Sequence, residues 1–109
     1  MINLNDGRDA TRFVLTDVMD ERKHQDREWP GQATAEDTPW LAILTEEVGE
    51  VARATLGNED AGNLRQELIQ VAAVAVAWVE WMDRREHRAL SARRALEDKA
   101  IAKAEGGGS

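Results

Sequence analysis

The sequence predicts an all-α domain, and three observations lead to this class. Proline occurs only at positions 30 and 39, tyrosine is absent, and no stretch alternates apolar and polar residues as half-buried strands do. Helix-forming residues dominate elsewhere. With 109 residues, 42% of them hydrophobic, the chain can build one compact core but not two. We expect an antiparallel bundle of three or four helices over residues 1–105, with residues 1–8 as a frayed leader.

An apolar stripe at helical spacing predicts the first helix, from about Asp9 to Arg27. The stripe consists of Phe13, Val14, Val18 and Met19. Pro30 ends this helix, because proline lacks a backbone donor and disfavours helix at the residue before it. A polar loop is expected to follow, as far as Asp37.

The second helix is predicted from its end signals. Thr38 is a good N-cap, Pro39 suits the first helical position, and Gly57 suits the exit. Its buried face is expected to contain Leu41, Leu44, Val48, Val51 and Leu56. A short turn over residues 58–62 leads to Asn63 as the next N-cap, so the second and third helices should be antiparallel neighbours.

The third helix is apolar almost all round from Leu68 to Met82, interrupted mainly by Gln70 and Glu80. A helix of this kind is buried on every side, and one small chain cannot cover it. We therefore expect a homo-oligomer, a homodimer or a homotetramer. The charged segment Leu90–Lys103 is expected to be exposed or to cap a dimer, after a helix that either continues or breaks near His87. Residues 106–109 are typical of a flexible linker or a cloning remnant.

Composition excludes several functions. Twenty-one acidic and fourteen basic residues give a net charge of −7, and residues 1–70 hold fifteen of the acids but only seven of the bases. Such a domain repels nucleic acid. The absence of cysteine excludes disulfides, thiol nucleophiles and thiolate zinc sites. Neither a signal peptide nor a bilayer-spanning segment is visible, so we expect a cytoplasmic protein without membrane contact.

An acidic constellation is the strongest functional signal. Glu47 and Glu50 are three residues apart, about 60° around one helix face, and no Lys or Arg lies three or four residues from Glu47. Glu67 and Gln70 repeat this spacing on the third helix. If the two helices fold back on each other, the four side chains converge, and such oxygen ligands suit Mg²⁺ or Mn²⁺. A solvated acidic face is the alternative interpretation.

A rival for the second pair is Glu80 with Asp83. Glu80 follows Glu67 by thirteen residues, which turns it about 220° around the helix and away from the predicted site. We therefore prefer Glu67 and Gln70.

The motifs Glu46-Glu47-x-x-Glu50 and Glu67-x-x-Gln70, separated by sixteen residues, resemble the EExxE…ExxD signature of the MazG-like all-α NTP pyrophosphatase superfamily. The segments Glu21–Trp29 and Leu64–Trp78 resemble the lead-in and third helix of its small phage and actinobacterial members. The resemblance covers roughly residues 12–85. Members of the family hydrolyse nucleoside triphosphates between the α and β phosphates with Mg²⁺, giving monophosphate and pyrophosphate.

The resemblance implies a Mg²⁺-dependent pyrophosphohydrolase, with Mn²⁺ as an alternative ion. The implied metal ligands are Glu47, Glu50, Glu67 and Gln70. Glu46 is the candidate to orient or deprotonate the attacking water; an exposed glutamate is the alternative. Because Gln70 stands where the family has aspartate, a weakly active or non-catalytic nucleotide-binding protein is the second hypothesis.

Four further residues are candidates for substrate binding. Arg84, Arg85 and Arg88 suit phosphate, although a solvated basic helix end, favourable to the helix dipole, is the stronger interpretation. Trp29 precedes Pro30 in a loop and suits stacking on a base or anchoring of the loop. The other aromatic residues and the two histidines carry structural expectations: Trp78 and Trp81 in a core or interface, Trp40 as a staple or groove wall, and His24 and His87 on the surface.

Overall fold

The computed structural model describes residues 1–57 and 61–106. These residues form three α-helices and no strand: α1 (Gly7–Glu28), α2 (Trp40–Leu56) and α3 (Ala61–Gly106). The all-α prediction is confirmed. The central part of the predicted turn, residues 58–60, and most of the predicted terminal linker, residues 107–109, lie outside the described residues. The chain divides into two compact units, Met1–Val79 and Glu80–Ser109.

Helix α1 begins two residues before the predicted start, because Asp6 caps it. The Asp6 carboxylate accepts hydrogen bonds from the backbone N–H groups of Arg8 (2.8 Å) and Asp9 (3.3 Å). A carboxylate at this position satisfies two of the N–H groups that a helix leaves without partners. The helix ends at Glu28, immediately before Trp29 and Pro30, as predicted.

The predicted cap of α2 is wrong in detail. Pro39 occupies the N-cap position and not the first helical position, and no side chain caps the helix. The Thr38 hydroxyl instead lies 2.6 Å from the carbonyl oxygen of Gln32 and 3.0 Å from that of Ala35. It is therefore used to close the loop that precedes the helix. Gly57 is the C-cap, as predicted, and its N–H donates to the Arg53 carbonyl.

Helix α3 starts earlier than predicted. Near His87, where the sequence allowed either a break or a continuous helix, the helix is continuous. It begins at Ala61, so Asn63 lies inside the helix and is not its N-cap. It continues past His87 as far as Gly106. Residues 88–105 contain neither proline nor glycine and consist mainly of Ala, Leu, Arg, Lys and Glu, which have high helix propensity. The segment from Leu90 to Lys103 is exposed throughout.

The core of the first unit lies between α1 and α3. Val18 from α1 is buried with Ile69 and Ala73 from α3, and Ala73 is completely inaccessible. Ala73 thus has no surface left through which a larger side chain could extend into solvent. An ion pair between Asp17 and Arg65, at 2.7 Å, joins the same two helices at the surface.

The first unit leaves one apolar face of α3 uncovered. Ile69, Ala73 and Ala77 face the core, whereas Leu68 and Val79, on the opposite side by helical spacing, are 51% and 56% exposed. One copy of the chain therefore does not bury the apolar stretch on every side. Trp78 and Trp81 are half-buried, Trp40 is buried, and both histidines are exposed.

No helix among the described residues combines the length and the apolarity that crossing a bilayer requires.

Candidate functional site

Three of the four predicted metal ligands meet between α2 and α3. The side-chain amide of Gln70 lies between the carboxylates of Glu47 and Glu67. With its nitrogen turned toward them, that nitrogen is 3.1 Å from Oε2 of Glu47 and 3.0 Å from Oε2 of Glu67, and it donates to both. With its oxygen turned toward them, three oxygen atoms face one another, an arrangement that suits a cation between them.

This contact follows from the register of α2 and α3. Glu47 lies nine residues before the last residue of α2, and Gln70 lies nine residues after the first residue of α3. Residues equally distant from a short connection are opposite each other when two helices fold back on one another. The i, i+3 spacing then places Glu67 on the same face of α3 as Gln70.

Glu50, the fourth predicted ligand, has a different partner. Its carboxylate forms an ion pair with Arg53, one turn further along α2. Arg53 is the one basic residue that lies three or four positions from Glu50 in the sequence, and the structure contains the ion pair between them. Glu47 and Glu67 are thus the two carboxylates that face each other across the helices.

The Glu47 carboxyl group lies in a negative environment. Partial burial raises the pKa of Glu47 above its usual range, and the charges of Glu67, Glu46, Glu50 and Glu21 raise it further, in that order. Ionised Glu47 is therefore less stable in the folded chain than in water. A cation near this group would relieve the same repulsion.

The donor set meets part of what a divalent cation requires. Within the described residues, no group of three or more His, Cys, Asp or Glu side chains is arranged to hold a metal ion. The pair formed by Glu47 and Glu67 still suits Mg²⁺, which takes one or two protein carboxylates and completes its shell with water and phosphate oxygens. Glu50 pairs with Arg53 through one of its two carboxylate oxygens, Oε1.

A pocket of about 250 Å³ lies beside the acidic pair. Glu47 forms part of its wall, together with Glu46, Trp29 and Ile43. Ligand pockets usually measure roughly 300–1,000 Å³, so this one suits part of a ligand, such as a single ring system. Glu46, the predicted catalytic residue, thus lies at the same pocket as Glu47, and Trp29, the predicted stacking residue, is 55% exposed there.

Sequence reasoning missed the contribution of α1 to this pocket. Gln25 is only 7% exposed, lines the pocket with Gln32 and Val74, and donates from Nε2 to the backbone carbonyl of Gln70 at 3.5 Å. The sequence contains a signal for this contact, because Gln25 follows Val18 by seven residues, about two helical turns, and therefore lies on the same face of α1. A polar residue on the buried stripe of an amphipathic helix indicates a specific hydrogen-bond partner.

The predicted phosphate-binding arginines belong to the second unit. Nη1 of Arg84 is 3.7 Å from Oε2 of Glu80, and the Arg85 guanidinium lies 5.2 Å from the centre of the Trp81 ring. Arg88 is exposed on the same helix. Binding of phosphate by these residues stays a prediction.

Comparison with known proteins does not assign the chain to a family. No protein-family model matches it, and no curated protein and no solved structure is significantly similar to it. The family resemblance therefore stays a prediction from the acidic motifs and their spacing.

Proposed function

We propose that this chain is a Mg²⁺-dependent pyrophosphohydrolase, which hydrolyses a (deoxy)nucleoside triphosphate to the monophosphate and pyrophosphate. The observation that carries the proposal is the position of Glu47. This residue faces Glu67 through Gln70 and also forms part of the wall of the pocket that contains Trp29. A metal-binding carboxylate and a ring-sized pocket side by side match the two ends of a nucleotide, its phosphates and its base.

The proposed reaction adds water at the α-phosphorus and breaks the bond from that phosphorus to the oxygen of the leaving pyrophosphate. Mg²⁺ held by Glu47 and Glu67, with Glu50, would withdraw charge from the phosphate oxygens as this bond breaks. Glu46 orients the attacking water and accepts its proton. This role fits a carboxylate at the pocket wall, next to Glu47 in the chain.

The remaining substrate contacts are proposed from side-chain chemistry. Trp29 stacks on the base, because its ring lines the pocket and more than half of its surface is accessible. Arg84, Arg85 and Arg88 pair with phosphate oxygens, for which guanidinium groups have matching geometry. A cytoplasmic location is part of the same proposal, because the cytoplasm contains the nucleoside triphosphates that this activity would use.

We also propose that the active form is a homodimer or a homotetramer. Leu68 and Val79 are eleven residues apart on α3, which places them about 20° apart around the helix. Both are more than half exposed although the stretch between them is almost wholly apolar. A second copy would cover this face and complete the helical bundle.

Release of pyrophosphate from a panel of ribo- and deoxyribonucleoside triphosphates, with and without Mg²⁺, tests the activity. A Glu47→Ala/Glu50→Ala variant should retain its helicity by circular dichroism and lose the activity. The matched control is Asp20→Ala/Glu28→Ala, which removes two exposed acids from α1. Activity that survives loss of Glu47 and Glu50, or falls equally in the control, contradicts the proposed site.

A second candidate function is nucleotide binding without turnover. Two observations favour it, the amide of Gln70 between the carboxylates and the ion pair that engages Glu50. Equilibrium binding of the same nucleotides, with no pyrophosphate released at any Mg²⁺ concentration, would distinguish this function from hydrolysis.

A further inference from the structure

We infer that Thr38 is a positioning residue for the base of the nucleotide, because its hydroxyl holds the loop that contributes Trp29 and Gln32 to the pocket wall. This inference rests on the proposed function, in which the Trp29 ring stacks on the base. It gives Thr38 a part in ligand binding, although Thr38 is not among the described residues that line the pocket.

Two of the pocket residues, Trp29 and Gln32, lie in the loop that connects α1 to α2. Packing alone does not fix this loop, since none of residues 29–39 is buried. Its shape depends on hydrogen bonds instead. The N–H of Gln32 donates to the Trp29 carbonyl at 3.1 Å, and the N–H of Ala35 donates to the Gly31 carbonyl at 2.8 Å. Loss of one hydrogen-bonding group can therefore change where the Trp29 ring lies.

The Thr38 hydroxyl ties this loop to the start of α2. Its oxygen lies 2.6 Å from the Gln32 carbonyl oxygen and 3.0 Å from that of Ala35, and its one proton is shared between them. Trp40, two residues further on, is buried where α2 begins. Gln32 is thus linked on both sides, by its N–H to Trp29 and by its carbonyl to Thr38. A change at Thr38 reaches the Trp29 ring through one intervening residue.

The Thr38 hydroxyl has no part in capping α2. Pro39 occupies the N-cap position, and no side chain caps the helix. Removal of the hydroxyl therefore breaks contacts within the loop and leaves the hydrogen bonds at the start of the helix as they are. An effect on the pocket can for this reason be measured separately from an effect on the helix.

Equilibrium binding of α,β-methylene deoxynucleoside triphosphates to the full chain tests the inference. Thr38→Val removes the hydroxyl and keeps a branched side chain. We expect it to weaken binding about three- to tenfold, the equivalent of one lost hydrogen bond. Thr38→Ser keeps the hydroxyl and should bind as the unchanged chain does. The matched control is Thr55→Val, which removes an exposed hydroxyl that donates to the Ala52 carbonyl within α2, at 2.8 Å, and should leave the affinity unchanged.

A double-mutant cycle with Trp29→Ala separates positioning of the ring from a general loss of stability. Trp29→Ala/Thr38→Val should bind as weakly as Trp29→Ala and no weaker, because no ring remains to be positioned. If the double variant shows the product of the two single losses, or if Thr38→Val alone keeps full affinity, the inference is overturned while the base pocket stands. If the unchanged chain binds none of these nucleotides, the base pocket itself fails, and the inference with it.

A measurement on the unchanged chain makes the test independent of whether the variants fold. The backbone N–H of Gln32 donates to the Trp29 carbonyl, so its exchange with water reports on the link between the loop and the ring. In ¹⁵N-labelled protein, the bound nucleotide analogue should slow this exchange, because a stacked base holds the ring in place. Exchange that the analogue leaves unchanged contradicts the inference.

Discussion

Glu47 has like charges on both of the helices that meet at the site. Its neighbours Glu46 and Glu50 precede and follow it on α2, and Glu67 faces it from α3. The sequence predicts this meeting, because the i, i+3 pairs and the short connection between the helices determine which faces oppose. It does not predict which atom of Gln70 faces the carboxylates. That orientation depends on the local balance of donors and acceptors, which appears only once the groups are in contact.

The raised pKa of Glu47 predicts a pH dependence of stability. The folded chain holds a proton on Glu47 at pH values where the unfolded chain has lost it, so the free energy of unfolding should fall as pH rises above the usual glutamate range. Glu47→Gln should remove this part of the slope. Urea unfolding followed by tryptophan fluorescence, with a chelator present, measures the slope between about pH 4.5 and pH 8.

The matched control for this titration is Glu36→Gln. Glu36 is exposed in the loop before α2 and is not among the residues that raise the pKa of Glu47. Its removal should leave the slope as it is in the unchanged chain. Equal slopes for the Glu47 variant and the unchanged chain would show that the carboxyl group titrates normally.

Trp29 is the residue that the proposed function uses for the base. Trp29→Ala should weaken binding of non-hydrolysable α,β-methylene deoxynucleoside triphosphates about tenfold, because stacking contributes about 1–3 kcal/mol for each base. Trp29→Phe keeps an aromatic face and should retain most of the affinity. Calorimetric titration measures both. Since Trp29 is 55% exposed, neither change should unfold the chain, and equal affinities for the Ala and Phe variants would exclude stacking.

At the scale of helices, the sequence predicts which segments are helical more closely than which faces are buried or where the helices end. The three helices are recovered because periodicity integrates over many residues. Of the four residues in the predicted stripe on α1 only Val18 is buried, and three of the five residues in the predicted buried face of α2 are exposed. The caps differ as well, because each depends on one side chain with competing partners. Thr38 illustrates this: its hydroxyl is used by the loop carbonyls of Gln32 and Ala35, so α2 starts without a side-chain cap.

The cap of α1 gives a prediction for that element. Asp6→Ala leaves the N–H groups of Arg8 and Asp9 without their carboxylate partner and should reduce the free energy of unfolding by about 1 kcal/mol. Urea unfolding at neutral pH measures the change. Asp20→Ala removes an equal charge from an exposed position inside the same helix and should cost less. Equal losses in the two variants would mean that the cap contributes nothing beyond its charge.

The contact between α1 and α3 depends on a small side chain. Ala73 is completely buried against the cluster that contains Val18, so Ala73→Leu forces the helices apart and should cost about 1–3 kcal/mol of unfolding free energy. Ala42→Leu makes the same substitution at an exposed position of α2 and should change stability by about 0.5 kcal/mol or less. Thermal and urea unfolding measure both. A neutral Ala73→Leu would mean that the two helices leave unfilled space at this contact.

For the whole molecule, the sequence identifies surface that one chain does not bury but not what covers it. The apolar circumference of α3 predicts an uncovered face, and Leu68 and Val79 are exposed on it. The surface that fits this face depends on the combined shape of many side chains. The spacing of apolar residues along the sequence does not specify that shape.

The proposed assembly is tested through this face. Leu68→Asp/Val79→Asp should reduce the mass of the particle in light scattering and sedimentation to that of one chain, 12.1 kDa, because buried unpaired charges oppose association. His24→Asp/Thr34→Asp adds the same charge at an exposed position of α1 and at one in the loop before α2, and should leave the mass of the oligomer unchanged. A monomeric unchanged chain would refute the assembly outright.

The amide that joins α2 to α3 also has a consequence for inheritance. Both glutamine codons become glutamate codons when their first base changes from C to G, so a single point mutation converts Gln70 to an acid. That change would place a third carboxylate beside Glu47 and Glu67 while the register of the helices stays the same. Descendants of this chain can therefore exchange the amide of this centre for a third carboxylate in a single evolutionary step.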